Sequence, residues 1–222
     1  MVKVYALIPK RPDITVEEFH SHWRDIHAPL AKRITTMRRY VQSHAIRTGP
    51  GGLPQAIYEG VAEVWFDDLE TAVGMGEDPN YVNGAGADEP SFIDQSRLTF
   101  LFCREHLPFD GPTLTAGAPE LKVLLLLARP ANPGAWPADA LAEAALELPG
   151  LTRLLFAVSD TDLYQEGQPF DTLVELSWVD LAAYDTAWSG HEAGRFRQVL
   201  AGSADLQRSA GMVTEPFRVV WP

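Results

Sequence analysis

The chain has little cysteine, little positive charge and no long apolar run. Its single cysteine, Cys103, excludes an internal disulfide and a structural zinc site built on cysteines, and it fits a reducing compartment. With 18 basic and 30 acidic residues, the formal net charge of -12 disfavours nucleic acid and anionic membrane surfaces as partners. Apolar runs such as VLLLLA from Val123 are far shorter than the ~20 residues of a membrane span, and residues 1–10 do not resemble a signal peptide. We therefore expect a cytoplasmic protein that binds neither nucleic acid nor membrane.

Two pairs of segments repeat in the same order along the chain. VKVYALIPK from Val2 aligns with LKVLLLLAR from Leu121, and VAEVWFDDLE from Val61 aligns with LVELSWVDLA from Leu173. All four segments have strand patterns, and the second pair runs in each case into Asp-Leu and a helical pattern. The sequence therefore predicts that one structural unit occurs twice.

Each repeat is predicted to hold strands and helices in the ferredoxin-like order βαββαβ. A four-stranded sheet with both helices on one face leaves its other face bare, and the second repeat can cover it. The predicted fold class is α+β, with two ferredoxin-like repeats packed sheet to sheet as an intrachain eight-stranded barrel. The predicted domains are residues 1–106, a linker at 107–120 that is rich in Pro, Gly and Thr, and a second, degenerate repeat at 121–222.

Polar side chains alternate with apolar ones on the predicted strands. Glu63 and Trp65 share one face of their strand, which we expect to face the barrel interior, and Glu175 matches Glu63 in the second repeat. Three further side chains share a face of the preceding strand: Tyr40, Gln42 and His44. Polar groups directed at an interior indicate a pocket, although Tyr40 could also be an amphipathic core residue and the other two could lie on an exposed edge.

A helix is predicted from Val16 to Ile34. Thr15 and Glu18 form a capping-box pattern at its start. Pro29 lacks an N–H group and clashes with the preceding turn, so we expect the helix to kink or end near His27. Such a kink can turn the imidazole of His27 toward the sheet.

This helix carries half of the six histidines in the chain. His20 and His27 lie with Trp23 along one edge of its apolar stripe, and His22 lies near the opposite edge. Two histidines seven residues apart are too widely spaced to chelate a metal from a single helix, so no metal site is expected. They are either boundary side chains between core and water or parts of a functional site.

Three stretches together resemble the EthD family of dimeric α+β barrel proteins: EEFHSHWRDIHAPLAKRITTMRRYVQSH at 17–44, GVAEVWFDDLE at 60–70 and FIDQSRLTFLF at 92–102. The resemblance covers about the first half of the chain. The second repeat resembles the fold more than the motif, because its first helix has no histidine. Members of the family usually build the barrel from two chains, whereas this chain would supply both halves and only one motif.

The resemblance implies small-molecule chemistry. Relatives of similar fold include methylmuconolactone isomerases, polyketide cyclases and cofactor-free monooxygenases, and the spacing of His27 and Tyr40 is similar to that of a histidine and a tyrosine that serve the isomerase site. We predict that His27 moves a proton, Tyr40 hydrogen-bonds an oxyanion or enolate, and Glu63 orients the imidazole or acts as a second base. The predicted substrate-binding residues are His20, Trp23, Gln42, His44 and Trp65.

The resulting hypothesis is an EthD-like enzyme without metal or cofactor that acts on an apolar, aromatic or lactone-type substrate in secondary metabolism or degradation. Isomerase, cyclase, decarboxylase and cofactor-free oxidoreductase stay open as its reaction type. The alternative is a non-catalytic ligand-binding or helper protein for a partner oxidoreductase, in line with the association of EthD proteins with a cytochrome P450 system. A small molecule is the expected partner, and a homodimer stays open.

A glycine-rich stretch and a histidine in the second repeat raise two other possibilities. The glycine-rich stretch from Gly74, GMGEDPNYVNGAGADEP, lacks the pattern of a nucleotide-binding loop and is predicted to be a mobile loop over the barrel mouth. His191 could ligate haem, as in haem-binding relatives of this barrel, but a lone helical histidine is more often a surface residue.

Overall fold

The computed structural model describes residues 1–54, 56–111, 117–130, 138–159 and 168–222. Within these ranges the strands are Val2–Ile8 (β1), Arg39–Thr48 (β2), Gly60–Phe66 (β3), Thr99–Asp110 (β4), Leu121–Leu127 (β5), Arg153–Val158 (β6), Thr172–Trp178 (β7) and Ala210–Val220 (β8). The α-helices are Val16–His22 (α1), Ala28–Ala31 (α2), Leu69–Gly74 (α3), Gly86–Asp88 (α4), Ala138–Leu146 (α5), Leu181–Ser189 (α6) and His191–Ser203 (α7). No helix in these ranges is both long and apolar enough to cross a lipid bilayer.

The strands close into one antiparallel barrel in the order β1-β3-β2-β8-β5-β7-β6-β4. We call β1 to β4 with their helices the first unit, and β5 to β8 with theirs the second unit. Each unit has its first strand between its third and fourth, as in a ferredoxin-like sheet, and the pairs β2–β8 and β4–β6 join the units edge to edge. The predicted α+β barrel, made within one chain from two βαββαβ units, is confirmed.

One boundary differs from the predicted division of the chain. Strand β4 continues to Asp110 because its later residues pair with β6, so residues 107–110 of the predicted linker are strand. Residues 112–116 lie outside the described part of the chain. The division into residues 1–106, 107–120 and 121–222 remains a prediction.

Both faces of most strands are buried, which produces three separate apolar clusters. Val4 packs with Phe19 in a cluster between the first sheet and its helices. Its neighbour Tyr5 packs with Leu124 of the second unit in a cluster inside the barrel. The third cluster lies between the second sheet and its helices, and its rings are Phe156, Trp178, Tyr184 and Phe196, with Trp188 packed against them. The sheet therefore separates the barrel interior from two outer layers.

Charged side chains fill part of the barrel interior. Lys3 contacts both Glu63, at 2.8 Å, and Glu175, while Lys122 lies 2.7 Å from Glu63 and 3.1 Å from Glu175. All four side chains are buried, so each charge depends on two partners of opposite sign to offset its loss of hydration. Burial raises the pKa of Glu175, but the ammonium groups of Lys122 and Lys3 outweigh it and hold that pKa well below its ordinary value. We call these residues the charged quartet.

Candidate functional site

A cavity of about 380 Å³ lies between the first sheet and its helices. Apolar side chains from the sheet, such as Val4, Val64 and Phe100, form one wall, and Ala31 and Ile34 contribute to the opposite wall. The polar side chains on its wall are His27, Tyr40, Tyr81 and Glu89. Its volume is within the range of pockets that bind small organic molecules.

This cavity is on the helix side of the sheet, not in the barrel interior that the strand pattern predicts. Ala62 and Val64 of β3 line the cavity, whereas Glu63 between them points into the interior. The interior is packed, and the gap beside the charged quartet is about 20 Å³, close to the space that one water molecule occupies.

The opening of the first helix follows the capping prediction. Thr15 accepts a hydrogen bond from the backbone of Glu18, and the Glu18 side chain accepts one from the backbone N–H of Thr15. This reciprocal pair satisfies two of the free N–H groups at a helix start. The capping box is therefore confirmed.

A π turn at Trp23–His27 interrupts the same helix just before Pro29. The N–H group of Ala28 donates to the carbonyl of Trp23, five residues earlier, and the chain then continues as α2 to Ala31. Pro29 therefore changes the helix locally without ending it. Single π turns of this kind are frequent at functional sites, and here both Trp23 and His27 are buried.

His27 forms a pair with Asp88, which lies 61 residues later on α4. The Nδ1 atom of His27 is 3.0 Å from Oδ2 of Asp88, and Nε2 of His22 is 2.8 Å from Oδ1 of the same carboxylate. Because a carboxylate can only accept, Nδ1 of His27 carries the proton and its Nε2 offers a lone pair. No hydrogen bond joins that Nε2 to another group in the described part of the chain, and His27 lines the cavity.

Burial lowers the pKa of His27, and the opposing effect of Asp88 only partly restores it. The imidazole is therefore neutral near pH 7, which leaves it able to accept a proton. Asp88 can fix the tautomer and would stabilise the imidazolium that forms after proton transfer. This is the arrangement that a histidine base requires.

The hydroxyl of Tyr40 has the opposite hydrogen-bonding capacity. Its oxygen accepts from Nε1 of Trp23 at 3.2 Å and from Nε2 of Gln42 at 3.1 Å. With both lone pairs occupied, the hydroxyl proton is left to donate, and Tyr40 lines the cavity. Burial raises the pKa of Tyr40 well above its ordinary value, so the group keeps its proton.

A second polar position lies on the cavity wall at Tyr81 and Glu89. The Tyr81 hydroxyl donates to Oε1 of Glu89 at 2.9 Å. Burial raises the pKa of Glu89 above its ordinary value, although the hydrogen bond from Tyr81 opposes this effect. The pair can therefore accept a hydrogen bond from a hydroxyl group of a ligand.

The structure brings some of the predicted site residues together and separates others. His27, from the helix, and Tyr40, from β2, line the same cavity. Four of the residues predicted to bind substrate form a hydrogen-bonded network behind Tyr40 and do not contribute to the wall that the described residues form: His20, Trp23, Gln42 and His44.

Glu63 and Trp65 lie on the other side of the sheet, in the barrel interior. Glu63 pairs with Lys3 and Lys122, and Nε1 of Trp65 donates to Glu105 at 3.0 Å. Glu63 therefore cannot orient His27 as expected, because the sheet lies between them. Asp88 holds the imidazole instead.

The sequence analysis missed Asp88, Glu89 and Tyr81. All three lie in the glycine-rich stretch interpreted as a loop over the barrel mouth, and the structure instead places this stretch against the first helix as a side wall of the cavity. The available signal was weak: Asp88 and Glu89 are adjacent acidic residues in this stretch, but Glu77 and Asp78 form a similar pair there.

The positions of possible metal and haem ligands bear on two of the hypotheses drawn from the sequence. In the described ranges, no three His, Cys, Asp or Glu side chains are grouped so that they could hold a metal ion. His191 is 91 % exposed and lies 3.2 Å from Glu192 on the outer surface. An axial haem ligand must lie inside a pocket that encloses the porphyrin, so this position does not fit one.

Comparison with known proteins finds a family match for the part of the chain that supplies most of the cavity lining. Residues 11–96 match the model of the EthD domain, and they include His27, Tyr40 and Asp88. Over these residues the chain is similar to EthD domains. The resemblance stated from the sequence is thus confirmed.

Among similar proteins, the dehydratase ustZ of Ustilaginoidea virens is 26% identical over 102 residues, which cover 40% of this chain and 71% of that protein. An anthrone oxidase-like protein has a similar structure with a TM-score of 0.62 and 10% identity, over 98% of this chain and 93% of the other. A putative monooxygenase from Fusobacterium nucleatum gives a TM-score of 0.61 and 9% identity, over 97% and 91%. At such low identity the two structures show a shared fold.

Proposed function

We propose that this protein is a small-molecule enzyme that removes a proton from carbon beside a carbonyl group, with His27 as the base and Tyr40 as the donor to the resulting enolate. The observation that carries the proposal is the opposite hydrogen-bonding capacity of these two side chains, which line the same cavity. His27 offers a lone pair because Asp88 occupies its Nδ1 proton, and Tyr40 offers a proton because its lone pairs are occupied.

Each group has a defined part in the reaction. His27 takes the proton through Nε2, and Asp88 stabilises the imidazolium, which supplies the ~10²- to 10⁴-fold acceleration typical of a positioned base. Tyr40 donates to the oxygen on which negative charge develops, and one such donor is typically worth ~10²- to 10³-fold. The apolar wall excludes water, which strengthens both interactions.

The enolate can react further in several ways, and we favour loss of a hydroxyl group from the next carbon. In that elimination the electron pair of the broken C–H bond forms a C=C bond, the imidazolium returns its proton to the departing hydroxide, and water leaves. The step is redox neutral and needs no co-reactant. The Tyr81–Glu89 pair offers a place for the hydroxyl, and the similarity to a dehydratase supports this choice over isomerisation or cyclisation.

The cavity wall favours an apolar, ring-containing substrate with a carbonyl group and a hydroxyl group. Aliphatic and aromatic side chains form most of the wall, and the polar positions are few. A small fused aromatic ketone matches both the volume and the chemistry. This agrees with the hypothesis of an apolar, aromatic substrate, and it invokes no metal or cofactor.

Hydrogen–deuterium exchange tests the proton transfer without knowledge of the natural substrate. 1-Tetralone, a fused aromatic ketone, is incubated with the protein in D₂O, and exchange beside its carbonyl is followed by NMR. We expect acceleration by the wild type and its loss in His27→Ala, with binding of the ketone retained. Exchange that continues unchanged in His27→Ala would overturn the proposal, and binding without exchange in the wild type would favour a ligand-binding or helper protein.

A further inference from the structure

We propose that Gln42 is a positioning residue that directs the hydroxyl proton of Tyr40 into the cavity. The inference rests on the proposed function of Tyr40 as the donor to an oxyanion. Under this inference, four polar side chains that do not line the cavity together fix the orientation of the Tyr40 hydroxyl: Trp23, Gln42, His44 and His20.

The orientation of the Gln42 amide follows from its partners. Its Nε2 atom is 2.8 Å from the backbone carbonyl of Trp23 and 3.1 Å from the Tyr40 hydroxyl. Because a carbonyl oxygen can only accept, the amide nitrogen must be the atom on this side. The amide oxygen therefore faces His44, at 3.1 Å from its Nε2. Gln42 is fully buried, so no water competes for these positions.

The protonation of both histidines in the network then follows. His44 must donate from Nε2 to the Gln42 oxygen, which leaves its Nδ1 as an acceptor when the ring is neutral. That Nδ1 lies 2.8 Å from Nδ1 of His20, which must donate. Burial, together with the nearby His20 and Arg24, lowers the pKa of His44 to about 3, so His44 is neutral over the ordinary pH range. One consistent pattern of donors thus runs from His20 to Tyr40.

The direction of this pattern decides what Tyr40 can do. If the Gln42 amide were reversed, its oxygen would accept the Tyr40 proton, and the tyrosine would present a lone pair to the cavity. As oriented, Gln42 and Trp23 both donate to the tyrosine oxygen, which leaves its proton for a ligand. Hydrogen bonds received by an oxygen also make its own O–H group a stronger donor.

Binding of 4-nitrophenol tests this inference, because its phenolate is a small aromatic oxyanion with a distinct visible absorption. The ratio of phenolate to phenol affinity is measured by titrating the bound probe with pH. We expect the wild type to prefer the phenolate, and Gln42→Met to lose roughly 10- to 100-fold of that preference, the usual effect of a hydrogen bond to a charged group. Naphthalene binding should be unchanged, which shows that the cavity is intact.

Further variants separate the possible outcomes. Gln207→Met, the same change at an exposed position, is the matched control and should keep the wild-type ratio. Tyr40→Phe should lose the preference; if it does not, or if the wild type shows none, the proposed function itself fails. If Tyr40→Phe loses the preference but Gln42→Met keeps it, the inference about Gln42 is overturned and the proposed function stands. Should Gln42→Met not fold, Gln42→Glu, which cannot donate as a carboxylate, is judged by the same criterion.

Discussion

Lys3 and Glu175 form a buried ion pair across the two units, 172 positions apart in the chain. Lys122 and Glu63 form the matching pair in the opposite direction at 2.7 Å. In the alignment of the two repeats, Lys3 corresponds to Lys122 and Glu63 corresponds to Glu175. Each unit therefore supplies one cation and one anion at corresponding positions. In the charged quartet, the lysine of each unit therefore pairs with the glutamate of the other unit, as approximate twofold symmetry between the units requires.

Lys3→Met should destabilise the protein strongly. It leaves Glu175 and Glu63 buried with one cation instead of two, a loss that typically costs about 3–5 kcal/mol. Urea denaturation measures the change in the free energy of unfolding. Arg38→Met is the control, because water and salt screen the exposed pair of Arg38 and Asp67, which should contribute little to stability. Equal effects of the two changes would contradict a stabilising role for the quartet.

The free energy of unfolding should also fall on acidification, because Glu175 becomes protonated. Its folded-state pKa is lower than the ordinary value of 4.5, so its contribution is complete above that value and is lost as the pH falls toward the folded-state pKa. Urea midpoints measured from pH 6 downward should show this loss. In Glu175→Gln the midpoint should start lower and decline less steeply, and an unchanged slope would count against the assignment.

Asp88→Asn should make His27 a less effective base without changing the shape of the cavity. Asparagine can no longer stabilise an imidazolium, and its amide group can bind the wrong tautomer of His27. We expect the exchange rate of 1-tetralone to fall at least roughly 10-fold, but by less than the ~10²- to 10⁴-fold loss expected for His27→Ala. Asp94→Asn, the same change at a residue beside Arg97 that does not line the cavity, is the control. A variant at position 88 as active as the wild type would remove Asp88 from the mechanism.

The exchange rate should rise with pH and then become constant. His27 acts only when it is deprotonated, and burial places its pKa below 6.5, so activity appears above that lowered pKa and is lost below it. Because Asp88 raises the pKa of His27, Asp88→Asn should move the rise to still lower pH. An apparent pKa above 6.5 in the wild type would contradict the buried, neutral imidazole.

Ala62→Leu should fill the cavity while leaving the fold intact. Ala62 lies on the cavity wall, so the larger side chain occupies empty space and buries more apolar surface, at about 25 cal/mol per Å². Naphthalene affinity should fall at least roughly 10-fold, while the free energy of unfolding stays equal or rises. Ala144→Leu makes the same change in the packed core of the second unit, where overpacking should cost about 1–3 kcal/mol. Equal destabilisation by both changes would mean that the cavity cannot accept the side chain.

Local patterns were sufficient to predict much of this molecule. The repeated strand segments predicted the two units, Thr15 and Glu18 predicted the start of the first helix, and alternation correctly directed Glu63 into the barrel. The resemblance to relatives of similar fold, and not a local pattern, selected His27 and Tyr40, which line the same cavity.

The position of the cavity could not be predicted in the same way. Strands β1 and β3, which line it, are buried on both faces, so alternation separates the two faces but does not by itself say which one faces the helices. Tyr40 and Gln42 were therefore expected on the wrong side of the sheet. Asp88 was missed because its pairing with His27 spans 61 residues, and no local periodicity reports a contact at that separation.

The aromatic packing of the second unit has a consequence for stoichiometry. Where the first unit has its cavity, Tyr184 and Trp188 stack at 5.3 Å and Trp178 meets Tyr184 edge to face. A barrel built from two identical chains must repeat any pocket, whereas a chain that closes on itself can devote one half to chemistry and the other to scaffolding. Titration should accordingly saturate at one equivalent of ligand per polypeptide, and changes among these rings of the second unit should leave the cavity of the first unit unaltered.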